Sequence, residues 1–126
     1  MKHPQLLASV ALLATLQLAS TVARAELDAQ GQREVAALLS FVGQSRCTFI
    51  RNGKTYKAVD AKNHLELKLK YLIEQNRVSS AEEFIEKAGT ESSFSGKPYL
   101  VDCDGNVQTS ADWLKDELRL LRKVQP

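Results

Sequence analysis

Beyond residue 25 the chain carries one histidine, His64, with Lys68 four positions later, so a helix through this stretch puts an imidazole and an ammonium on the same edge. A basic segment precedes them, with Arg51, Lys54 and Lys57 spread around a turn signal. Guanidinium and ammonium groups gathered near an imidazole suit a carboxylate, a phosphate or an acidic glycan. Arg51, Lys54, Lys57, His64, Lys68 and, from later in the chain, Tyr99 therefore form the candidate contact set for a small anionic ligand or a protein partner. The rival chemistry is nucleophilic. Ser92, Ser93 and Ser95 offer hydroxyls, and a small hydrolase would need one of them within reach of His64 and a carboxylate orienting the ring from behind. No G-x-S-x-G elbow is present, and this reading ranks second to non-catalytic binding. Arg51, His64, Lys68 and Tyr99 are expected to cluster under the first reading; a short imidazole–serine contact is expected under the second.

Other motifs fall away on inspection. A single histidine excludes multi-histidine metal sites, and no metal or cofactor is expected. Asp102, Asp104 and Asn106 lack the spacing of a calcium loop and read as a turn. Ser95-Gly96-Lys97 lacks the first glycine, the span and the following hydroxyl of a phosphate-binding loop.

The context of these residues is set at the N-terminus. Lys2, an apolar run from Leu6 to Leu18 and the small-x-small sequence Ala23-Arg24-Ala25 predict a cleavable signal peptide over residues 1–25, with a single domain over 26–126 exported to the periplasm. The apolar run is too short to span a bilayer, and no cysteine follows the cleavage site, so no membrane anchor is expected. The whole chain has a formal net charge of +2, but Lys2 and Arg24 belong to the signal. The remainder balances its fifteen acidic residues with as many basic ones, which argues against nucleic acid as a partner. Charge is still polarised along the chain: seven basic residues lie between Arg46 and Lys70, and ten acidic ones between Glu74 and Glu117.

Cys47 and Cys103 are the only thiols, 56 positions apart, too far for a redox C-x-x-C pair. In an exported domain they predict one structural disulfide, contributing about 4 kcal/mol by restricting the unfolded chain.

The elements that must position these groups read as an α+β unit. Val35, Leu38, Leu39 and Val42 mark a helix from Asp28, as cap, to Gly43, as stop. Asn52-Gly53 between β-prone runs predicts a hairpin in which Arg51 faces Lys54 and Phe49 pairs with Tyr56. Residues 58–75 favour helix over strand, since Leu, Glu and Lys dominate, with Ala58, Ala61, Leu65, Leu69 and Leu72 on one face. Leu67 then points outward, either as a lone exposed leucine or as the face of a homodimer, leaving monomer and homodimer both open. Ser79 or Ser80 caps a third helix that Gly89 ends. Pro98 to Cys103 forms a strand and Asp104-Gly105 a turn. Thr109 or Ser110 caps a last helix, with Trp113, Leu114, Leu118, Leu120, Leu121 and Val124 along one side. The expected fold is a small three-stranded antiparallel sheet, a hairpin plus a C-terminal strand in the order second, first, third, packed with about four helices and one disulfide.

These residues taken in order, Cys47-Thr-Phe-Ile-Arg-Asn-Gly53 with Tyr56, His64-Leu65 with Lys68, Ala81-Glu-Glu-Phe-Ile85, Ser92-Ser93-x-Ser95-Gly96-Lys97-Pro98-Tyr99 and Ser110-x-x-Trp113-Leu114, resemble the YfeK-like family. Its members are small signal-bearing proteobacterial proteins classed as a domain of unknown function. The resemblance implies a periplasmic location in a Gram-negative bacterium and supplies no activity. It also implies a small capping residue at the start of the second helix, where this chain has Lys57.

Overall fold

Helix α1, Ala29–Gln44, begins where the Asp28 carboxylate accepts the Gly31 N–H at 2.7 Å. The computed structural model describes residues 26–125 and the isolated positions 11 and 14. Apart from those two positions, the expected signal peptide lies outside the described residues. Gly43, expected to end α1, sits inside it; the last carbonyls are met by the Ser45 N–H. The glycine serves packing instead, because a Cβ there would come within 2.7 Å of the Lys62 side chain on the next helix.

Strands β1, Thr48–Arg51, and β2, Lys54–Tyr56, form the expected hairpin, pairing Phe49 with Tyr56 and Arg51 with Lys54. Asn52 and Gly53 take positive φ, as a type I′ turn requires. Strand β3, Leu100–Cys103, runs antiparallel to β1 with Thr48 opposite Asp102. One step further in that register Cys47 faces Cys103, and the two are joined as a disulfide across 4.4 Å between Cα atoms.

The expected three-stranded sheet has a fourth strand. β4, Asn106–Thr109, pairs with β3 to give the order β2-β1-β3-β4. Asp104 and Gly105, both at positive φ, make a second tight hairpin turn rather than a simple reversal into helix. The segment escapes recognition because it is an edge strand, with Asn106 and Val107 exposed and one apolar residue to mark it.

Helices α2, Ala58–Glu74, α3, Ala81–Ala88, and α4, Ser110–Val124, complete the α+β domain. Lys57 stands at the α2 N-cap and makes no side-chain capping bond. Ser80 and Thr109 cap α3 and α4 through their hydroxyls. The core lies between the helices and one sheet face, where Trp113 stacks on Phe41 at 4.4 Å between ring centroids and meets Phe49 edge-on at 5.5 Å. Trp113, Leu114 and Leu118 are buried as expected from α4 and Leu121 packs partly against the core, but Leu120 and Val124, expected on the same side, are exposed.

Candidate functional site

The alternation of a strand places Phe49 and Arg51 on one sheet face, and pairing brings Tyr56 and Val101 to the same face. Continuing the β1–β3 register one residue past Ile50 and Leu100 sets Tyr99 beside Arg51. Helix α2 packs against β1, and Leu65 and Leu72 anchor its buried side. With that side fixed, His64 and Lys68 project along the edge facing Arg51 and Tyr99.

The result is a continuous polar row. Arg51 Nη1 lies 3.0 and 3.1 Å from the two His64 ring nitrogens, and Nη2 donates to Tyr56 Oη at 3.2 Å. His64 Nε2 is 3.1 Å from Tyr99 Oη. Lys68 Nζ donates to that same hydroxyl and to the Glu91 carbonyl, each at 3.0 Å. A guanidinium only donates, so a ring nitrogen facing it must be bare. His64 is therefore neutral here, and burial, reinforced by the charges of Arg51 and Lys68, holds its pKa below the ordinary 6.5. Burial also lowers Lys68, with Arg51 adding to the effect against the charge of Glu91, and burial raises Tyr99.

Two features distinguish the row from a closed ion-pair network. Among the described residues neither Arg51 nor Lys68 is within salt-bridge distance of a carboxylate. Arg51 Nε is buried and has no hydrogen-bond partner. A buried donor without an acceptor costs about 1–3 kcal/mol.

Arg51, His64 and Tyr99 form a wall shared by two depressions. On one side is a cleft of about 330 Å³ with a mainly apolar floor of Phe49, Ala61 and Leu65, the buried Ser110 among its lining, and Asp60 and Tyr56 at its rim. On the other is a shallower depression of about 1140 Å³ reaching Lys68, Leu67, Tyr71 and Phe94.

Arg51, His64, Lys68 and Tyr99 thus come together, whereas Lys54 and Lys57 are exposed and line neither depression. Lys54 sits at the hairpin tip and Lys57 at the helix start, both directed to water. Tyr56 and Asp60 were not anticipated. The diagonal neighbour of Arg51 across a two-residue hairpin is Tyr56, so its part was legible from the register.

The arrangement a hydrolase needs is not present among the described residues. Ser92 Oγ accepts from Asn52 Nδ2 at 3.2 Å and from the Phe94 and Ser95 N–H groups at 3.3 Å. Ser95 Oγ is bound to Asn52. His64 hydrogen-bonds Arg51 and Tyr99 and none of the three serines. Cations stand where an orienting carboxylate would be required. The serines tie the 92–97 loop to the β1–β2 turn. Asp102 likewise accepts the Gly105 N–H at 2.8 Å, which is turn chemistry.

The comparisons with known proteins name no activity. Residues 29–122 match a family described as "Family of unknown function (DUF5329)". The chain is similar to "Uncharacterized protein YfeK" of Salmonella typhimurium, 40% identical over 93 residues, covering 73% of this chain and 72% of that relative. No solved structure matches.

Proposed function

The chain belongs to the DUF5329 family of unknown function, and we propose that it is a non-catalytic periplasmic binding protein that holds a small anionic ligand on its Arg51, His64, Lys68 and Tyr99 row. The observation that carries this reading is the convergence of two cations, unpaired with any carboxylate among the described residues, on a neutral imidazole and a buried phenol. A cationic row with low-dielectric walls concentrates anions more strongly than the same charges in water. Support for export comes from the signal-like residues 1–25 and from a disulfide, which persists in oxidising compartments. Among the described residues no helix is long and apolar enough to cross a membrane.

Calorimetry with acetate and phosphate tests the reading. The wild type is expected to bind, and Arg51→Glu or Lys68→Glu to lose more than tenfold in affinity with an unchanged circular dichroism spectrum. A wild type that binds no anion contradicts it. Export is tested by the mass of the periplasmic protein, expected to begin at Glu26.

A second reading, a protein partner, is favoured by one observation. Leu67, Tyr71 and Phe94, the last 96% exposed, border the shallower depression next to Lys68. If a second copy docks there, Leu67→Glu converts a dimer to a monomer in light scattering; an unchanged mass excludes self-association through this face.

A further inference from the structure

Resting on the anion-binding reading, we infer that the ligand is a monocarboxylate with an apolar body of about eight carbons, its head on Arg51 and its tail in the cleft floored by Phe49, Ala61 and Leu65.

The head group is specified by a comparison within the molecule. Arg122 presents Nε and Nη2 side-on to the two oxygens of Glu34, at 2.9 and 3.1 Å. That geometry is the fork-on-fork pairing of a guanidinium with a planar carboxylate. On Arg51 the Nε edge is covered by the protein, but each Nη keeps an N–H to spare: Nη1 meets the bare nitrogen of His64, and Nη2 makes one bond, to the Tyr56 hydroxyl at 3.2 Å. A two-oxygen planar head can accept end-on from the two Nη groups, the other planar pairing a guanidinium makes with a carboxylate.

Charge number follows from the rim. Arg51 is the one cation lining the cleft and Asp60 the one anion. A single negative head satisfies Arg51, whereas a second charge on the body would be driven either toward Asp60 or into the apolar floor. Lys68 lies behind the His64 and Tyr99 wall, where its charge acts on the row through the Tyr99 hydroxyl but gives a dianion inside the cleft no second direct contact.

The body follows from the floor and the volume. Phe49 and Leu65 are core residues whose exposed edges face the cleft, and Ala61 extends the apolar surface. At roughly 30 Å³ per water-sized group, the cleft of about 330 Å³ holds about ten non-hydrogen atoms, the size of octanoate. The floor gives the hydroxyls of a polar body such as a sugar acid few partners, Ser110 being the one polar side chain in the lining besides the rim and the Arg51, His64 and Tyr99 wall.

The molecule carries its own reporter, since Phe49 lines the cleft and meets Trp113, the only tryptophan, edge-on. Titrating the protein at pH 7 with acetate, butanoate, hexanoate, octanoate and dodecanoate, with octanol and inorganic phosphate alongside, tests the inference by Trp113 emission and calorimetry. Affinity is expected to rise about three- to fourfold per methylene up to octanoate, and to rise no further at dodecanoate. Octanol is expected to bind at least tenfold more weakly than octanoate. Ala61→Leu, which fills the floor, should weaken octanoate at least tenfold while leaving acetate unchanged. The wild-type series stands without this variant should Ala61→Leu not fold. Acetate and phosphate binding as tightly as octanoate would overturn the apolar body and leave the anion site standing. Octanol binding as tightly as octanoate would overturn the carboxylate head. Absence of binding by every anion would remove both this inference and the reading beneath it.

Discussion

Arg51 does the most at the residue scale, because it joins the sheet to α2 through His64 and to β2 through Tyr56 while keeping a buried donor free. Its meeting with His64, Lys68 and Tyr99 was legible in the sequence: hairpin register fixes Arg51, and the i, i+4 spacing fixes His64 relative to Lys68. What spacing does not convey is the charge state. A neutral imidazole between two cations arises only once burial is known, and that burial generates a pH dependence. The unfolded imidazole titrates near 6.5 and the folded one lower, so the folded state binds fewer protons as pH drops through this window. Its stabilising contribution is complete above 6.5 and is lost as pH falls toward the folded value. Urea unfolding between pH 7 and 5 should therefore show falling stability in the wild type and a shallower fall in His64→Gln. Glu83, held at about 2 by Lys87 and Ser79, together with Glu34 and Glu82, acts below the ordinary 4.5, in a separate window.

At the scale of elements, the first hairpin and the second illustrate why similar signals are read unequally. Asn52-Gly53 sits between Phe49-Ile50 and Tyr56, which announce strands; Asp104-Gly105 is followed by Asn106-Val-Gln-Thr109, whose polar side chains suit a loop equally well. β4 exists because β3 offers it a complete register, from Leu100 with Thr109 to Cys103 with Asn106. Tertiary pairing supplied what local composition withheld. The extent of α1 and the exposure of Leu120 were also invisible, since each depends on what packs nearby. Gly105 sits at φ +87° with nothing within 4 Å of where a Cβ would be, so its cost on substitution is purely backbone. Gly105→Ala should lose about 1–2 kcal/mol of stability in urea unfolding; a neutral variant would mean that the turn adjusts.

Two long-range ties hold the whole molecule. The Cys47–Cys103 bridge closes a 56-residue separation across adjacent strands, and reducing it should cost about 4 kcal/mol of unfolding free energy. At the opposite side Arg122 of α4 clamps the buried Glu34 of α1 and reaches Glu82 of α3, binding three helices together. Removing one partner strands a buried carboxylate, so Arg122→Met should destabilise by about 3 kcal/mol, while Arg122→Met with Glu34→Met recovers part of the loss. The cysteine pairing was readable from count and context. The Arg122 clamp was not, because nothing in the sequence relates positions 34 and 122. Neither tie involves the Arg51 row, which among the described residues holds no ion pair and is therefore open to an anion. The most direct test is the pKa of His64, followed by imidazole proton NMR while sodium acetate replaces sodium chloride at constant ionic strength. A midpoint below 6.5 that climbs as acetate increases is the predicted result, since a bound anion beside the ring favours its charged form. A midpoint that acetate leaves unmoved would contradict anion binding at this row.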